Sequence, residues 1–240
     1  MAQKSVHYHR HDYDIAYEIV HPAARKDILF LHGWGSNKEI MKGAFAKHLS
    51  GYRHIYIDLP GFGKSPNDTV LTTKDYAAIT AAFLEAIGST PEIVAGHSFG
   101  GKVATLLSPP TLVLLSSAGI PVPKPLGVRA RIALFKALNR VGLGRFRRYF
   151  VSDDARGMSH AMYETFKNVV DEDFTPLFAA YGHPALLFWG TTDTATPLWT
   201  GERIAALMGH AKLFPMEGDH FFFSHHAASI AQIIEKELHG

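Results

Sequence analysis

The chain has 240 residues, 47% of them apolar, with 24 Lys and Arg against 22 Asp and Glu, a formal net charge of +2 and no cysteine. That charge is too small to draw the chain to nucleic acid, and without thiols there is neither a disulfide nor a thiolate metal site. The length suits a single α/β core. No run approaches the ~20 apolar residues of a membrane span, and residues 1–10 lack the apolar centre of a secretory signal. A cytoplasmic protein is expected.

In chain order, residues 5–10 and 14–20 read as a hairpin turning at His11-Asp12-Tyr13. His7, His9 and His11 alternate there, which on a strand puts three imidazoles on one face. A half-exposed edge strand accounts for them more simply than a metal site does, and the same discount applies to His225 and His226 at an expected helix start. Residues 27–31 form a near-continuous apolar run, the mark of a strand buried on both faces. After His32-Gly33-Trp34-Gly35, Ser36 and Glu39 have the spacing of a capping box for a helix to about Leu49. A strand over 54–57 leads into the turn-rich Asp58-Leu59-Pro60-Gly61-Phe62-Gly63-Lys64-Ser65, read as structural. A helix over 72–87 has Thr72 as its cap and Gly88 as its stop.

The apolar run Ile93-Val94-Ala95 ends in Gly96-His97-Ser98-Phe99-Gly100, followed by a helical stretch from Lys102. A strand reversing sharply into a helix strains the residue at the apex, and side chains two positions either side collide. Glycine at both flanks therefore lifts the Ser98 hydroxyl clear, at a helix N-terminus that favours negative charge. His97 reads as packing within this turn. Ser108-Pro109-Pro110 ends the helix and residues 111–115 form another buried strand. The alternation of strand and helix predicts a mostly parallel sheet with helices on both faces.

Prolines 121, 123 and 125 break this pattern, and strand signals vanish until residue 185. Residues 121–182 read as a helical cap, with helices over 129–141 and 155–170, between core segments 1–120 and 183–240. Strand 185–189, helix 198–208, strand 211–215 and helix 224–238 complete the core. Ser98, Asp193 in Gly190-Thr191-Thr192-Asp193, and His220 in Gly218-Asp219-His220 each follow a separate strand, at the sheet edge where open α/β folds place their sites.

These strings together resemble the α/β-hydrolases: His-Gly, Asp-Leu-Pro-Gly-Phe-Gly-Lys-Ser, the serine turn, a cap, Trp-Gly-X-X-Asp and Gly-X-His, in that order. The resemblance implies an α/β-hydrolase fold and a Ser-Asp-His triad: Ser98 as nucleophile, His220 as base, Asp193 as the acid that orients it. Asp219 is a rival acid, disfavoured because neighbouring side chains point apart. The resemblance also implies an oxyanion hole from the backbone N–H groups of Trp34 and Phe99. No metal or organic cofactor is implied.

The resemblance leaves the substrate open. Hydrolysis of a small or medium carboxylic ester through an acyl-serine needs nothing further and is the main expectation. The chain is also similar in size, cap and triad to meta-cleavage-product hydrolases, which break a C–C bond in a 2-hydroxy-6-oxo-dienoate. Its loops resemble those of pimeloyl-carrier-protein methyl ester esterases, although His97 and Phe99 stand where those often have tryptophan and leucine. Arg129, Arg131, Lys136, Arg140, Arg145, Arg147 and Arg148 form a run without an acid, suited to docking an acidic carrier protein, or simply to a solvated helix face or an amphipathic face against lipid. Phe135, Phe146, Tyr149, Phe150, Met158, Met162 and Phe166 serve either an acyl tunnel or the packing of the cap. A non-catalytic ligand-binding role is the alternative of a different class, and the intact Ser98, Asp193 and His220 speak against it.

Overall fold

The structure, a computed structural model, describes residues 2–123 and 158–239. Eight strands form one sheet: β1 (Ala2–Tyr8), β2 (His11–Val20), β3 (Lys26–Leu31), β4 (Tyr52–Ile57), β5 (Ile93–His97), β6 (Thr111–Leu115), β7 (Ala185–Gly190) and β8 (Ala211–Met216). Their spatial order is β1-β2-β4-β3-β5-β6-β7-β8. β1 and β2 pair antiparallel, as do β2 and β4, and every later pairing is parallel. The described helices are α1 (Lys38–Phe45), α2 (Thr73–Ala86), α3 (Phe99–Leu107), α4 (His160–Val169), α5 (Thr175–Ala179), α6 (Leu198–Leu207) and α7 (Phe223–His239).

The apolar strand runs follow from two-sided burial. In β3, Ile28 and Phe30 pack with Met41 and Phe45 of α1 and with Phe223 and Ile230 of α7. Leu29 and Leu31 point the other way, into a cluster with Tyr76 and Phe83 of α2, Val103 of α3 and Ile204 of α6. Helices thus cover both faces. Among the described residues, no helix is long and apolar enough to cross a membrane.

Local chemistry moved three boundaries. The hairpin turns at His9 and Arg10, not at 11–13: His9 takes a left-handed φ of 54°, and Tyr8 pairs with His11. The three N-terminal histidines therefore do not line one strand. α1 is capped by Asn37, whose Oδ1 accepts from the Glu39 N–H at 3.0 Å, whereas Ser36 donates its own N–H to Gly33 in a turn. Ser36 and Glu39 thus form no capping box, and α1 ends at Phe45 because the chain must turn back through Leu49, at φ 52°, to enter β4. α3 begins at Phe99, three residues before the helical pattern starts, because Gly100 and Gly101 carry no periodicity signal. At α2 the cap is Thr72, in a capping box with Asp75, and Gly88 follows the helix with φ 64°.

The expected helix over 129–141, the basic run Arg129, Arg131, Lys136, Arg140, Arg145, Arg147 and Arg148, and the apolar Phe135, Phe146, Tyr149 and Phe150 lie outside the described residues.

Candidate active site

β5 lies between β3 and β6, and its chain reverses at Ser98 with φ 51° and ψ −114°. This is strained backbone for a residue with a Cβ. The surroundings over-determine it. The Ser98 N–H donates to Leu115 O at 3.1 Å, and Ser98 O accepts from Gly101 at 3.0 Å and Ala118 at 3.1 Å. The Ser98 side chain makes no capping bond to α3, so its hydroxyl is not committed to the helix. A Cβ at Gly96 would stand 2.3 Å from Gly100 O, and one at Gly100 would stand 2.6 Å from both His32 O and Leu31 O. These neighbours are backbone and cannot swing aside. Gly96→Ala is therefore expected to cost about 1–3 kcal/mol or more, as overpacking does, read as a lowered urea midpoint.

Asp193 follows β7 and is buried. Its Oδ1 accepts from the N–H groups of Ala195 at 2.8 Å and Thr196 at 2.9 Å. Its Oδ2 accepts from Thr196 Oγ1 at 2.9 Å and lies 2.7 Å from His220 Nδ1. Burial pushes this carboxyl up, but the bond and charge of His220 and the Thr196 donors outweigh it and hold it at about 2. An ionised carboxylate only accepts, so Nδ1 of His220 carries the proton and Nε2 keeps its lone pair. Thr196 Oγ1 also sits 3.3 Å from Nδ1, a contact that nothing in the sequence reading singled out. An Asp followed by Thr at the third position, before a helix, is the local signal for it. Asp219 is exposed, and its Oδ1 accepts from the Phe221 N–H at 2.8 Å rather than meeting the imidazole.

Gly33 brings the loop after β3 against the Ser98 turn: a Cβ there would lie 3.2 Å from Ser98 Cβ. His32 sets this loop's orientation. Its Nε2 accepts from the Leu59 N–H at 3.0 Å, so Nδ1 must be the donor to Gly33 O at 2.7 Å. Burial lowers His32 to about 4, which keeps it neutral. The Gly33 carbonyl and the Trp34 N–H share one planar trans peptide, so holding the carbonyl aims the N–H the opposite way. Phe99 is the first residue of α3, and its N–H has no acceptor within the helix. The Trp34 ring meets Phe62 at 4.8 Å, Phe99 at 5.5 Å and Phe166 at 5.4 Å between centroids. Asp58, buried, accepts from Lys38 Nζ at 2.9 Å and from the backbone of Lys38 and Lys64, and so braces the loop after β4.

Residues 158–182 lie across this edge. Thr165 Oγ1 accepts from Leu71 N at 2.9 Å, and Phe166 covers Trp34. The buried Lys102 of α3 donates to Val169 O and, at 3.1 Å, to Glu172. Met158, Ser159 and Met162 face Gly35, Phe62 and Asn67 across a groove of about 460 Å³. Among the described residues no group of three or more His, Asp or Glu is placed to hold a metal.

A family model described as the alpha/beta hydrolase family matches residues 28–233. The chain is 29% identical over 227 residues to a 2-hydroxy-6-oxononadienedioate/2-hydroxy-6-oxononatrienedioate hydrolase of Burkholderia vietnamiensis, covering 78% of this chain and 77% of that one. It is 26% identical over an alignment of 248 residues to the pimeloyl-acyl-carrier-protein methyl ester esterase of Edwardsiella ictaluri, covering 89% and 93%. Among solved structures, a thermophilic esterase from Thermogutta terrifontis superposes with a TM-score of 0.74 at 19% identity, covering 99% and 98%, a likeness of fold.

Proposed function

Because the chain belongs to the alpha/beta hydrolase family, we propose that it hydrolyses a carboxylic ester through an acyl-enzyme on Ser98. The observation that carries this reading is the 2.7 Å contact of His220 Nδ1 with the ionised, buried Asp193, on the same sheet edge as a strained, uncommitted serine. His220 Nε2 takes the Ser98 proton as Oγ attacks the acyl carbon. The oxyanion that forms is met by the N–H groups of Trp34 and Phe99. His220 then returns the proton to the leaving alkoxide as the C–O bond breaks. Water, activated by the same imidazole, releases the acid. Residues 121–182 act as the cap, and the rings around Trp34 favour an apolar acyl group on that side.

The test is turnover of p-nitrophenyl esters from acetate to laurate by the native chain, with labelling of Ser98 by a fluorophosphonate. Serine-dependent turnover supports the reading, and the chain-length optimum reports the size of the acyl site. Labelling without ester turnover shifts the reading to C–C hydrolysis of a dienoate, a reading that the Burkholderia relative supports.

A carrier-protein-bound ester is a second reading, favoured by the Edwardsiella relative and by the seven cations without an acid at 129–148. It predicts that kcat/KM for a carrier-bound methyl ester falls at least about tenfold between about 50 and 200 mM salt, with little change for p-nitrophenyl butyrate. A flat salt profile removes it.

A further inference from the structure

His97 is buried, sits beside Ser98 at the end of β5, and has no role in the mechanism above. Its Nε2 lies 3.0 Å from His220 O. A carbonyl only accepts, so Nε2 carries the proton and donates. Nδ1 is then a bare lone pair, buried and without a hydrogen-bond partner. It faces Gly33, where a Cβ would stand 2.9 Å away. The imidazole is wedged between the Gly33 loop and the His220 loop, its ring 4.6 Å from that of His220.

The carbonyls of the His220 loop show what this bond adds. Gly218 O accepts from Thr192 N at 3.0 Å, and Asp219 O accepts from Phe222 N at 3.1 Å. His220 O is held by His97. Thr192 precedes Asp193 in the chain, and His97 precedes Ser98. Through its main-chain carbonyls, the loop bearing the imidazole is thus tied to the strand end that carries the acid and to the turn that carries the serine. The second tie is a side chain.

Resting on the hydrolase reading, we infer that His97 is a positioning residue: its Nε2–H holds the His220 main chain at a set distance from the Ser98 turn while its ring spaces the Gly33 loop. It touches neither substrate nor transferred proton. An aromatic ring without the donor should leave binding intact and slow every step that needs His220 aligned on Oγ.

The test compares His97→Phe, which keeps the ring, with His97→Gln, which restores an N–H donor at similar reach. For p-nitrophenyl butyrate, His97→Phe should lower kcat about 10- to 100-fold, the scale of misplacement by about an ångström, with KM changed less than about threefold. Fluorophosphonate labelling of Ser98 should slow in parallel, and His97→Gln should recover most of both losses. Native kcat and labelling in His97→Phe overturn the inference, as do equal losses in both variants tracking a lowered melting temperature. Ser98→Ala in the same assay separates the premises. Turnover surviving there removes Ser98 as the nucleophile, and this inference with it. Its loss alongside a native-like His97→Phe removes this inference alone.

Discussion

Ser98→Ala is expected to lower kcat for p-nitrophenyl esters by about 10⁶-fold, the scale on which a serine nucleophile is lost, and to abolish fluorophosphonate labelling. The fold should not suffer. The Ser98 side chain makes no capping bond to α3, and alanine carries the same Cβ into the same φ of 51°. Its midpoint in urea should therefore match that of the native chain. Ser98→Gly should be as inactive yet more stable by about 1 kcal/mol, because glycine adopts that backbone without strain. The two variants together separate the chemistry of the hydroxyl from the conformational cost of presenting it. Retention of more than about a hundredth of the activity in Ser98→Ala would remove Ser98 as nucleophile.

Asp193→Asn is expected to lower kcat by about 10⁴-fold. The loss comes from the tautomer. The carboxylate accepts from His220 Nδ1 at 2.7 Å, which leaves Nε2 unprotonated for Ser98. An amide in its place can present N–H to Nδ1 and stabilise the imidazole with its proton on Nε2, where it takes nothing from the serine. Stability carries an independent signature. The Asp193 carboxyl falls from its ordinary 3.8 to about 2 in the folded chain. A depressed carboxyl stabilises the fold above its unfolded value, and that contribution disappears as pH falls from about 4 towards 2. The stability advantage of the native chain over Asp193→Asn should thus be full at pH 5–7 and shrink below about 4. An advantage that stays constant down to pH 2 would show that the carboxylate is not the group held by His220.

Much of the fold was legible because the signals are local. The apolar runs in β3, β5, β6 and β7 are continuous because those strands lie between two helical layers, and two-sided burial leaves no polar face to break the pattern. Gly96 and Gly100 could be read as necessities because backbone atoms occupy the space their side chains would need. The errors were also local. Asn37 rather than Ser36 caps α1, since both are good caps and only the path out of the Gly33 turn selects between them. The hairpin turns at His9, a residue with no turn preference strong enough to announce itself.

By itself, the sequence determined the alternation of strand and helix, the strained serine turn, and the placing of Ser98, Asp193 and His220 after three separate strands. Each of these depends on residues within a few positions of one another. Only the tertiary structure decided which carboxylate meets His220, which hydroxyl joins them, and which side chain ties the loops together. Thr196 reaches His220 across 24 positions and His97 across 123. Such contacts are set by the register of parallel strands and by the few ångströms between their ends, which no local pattern of residues encodes.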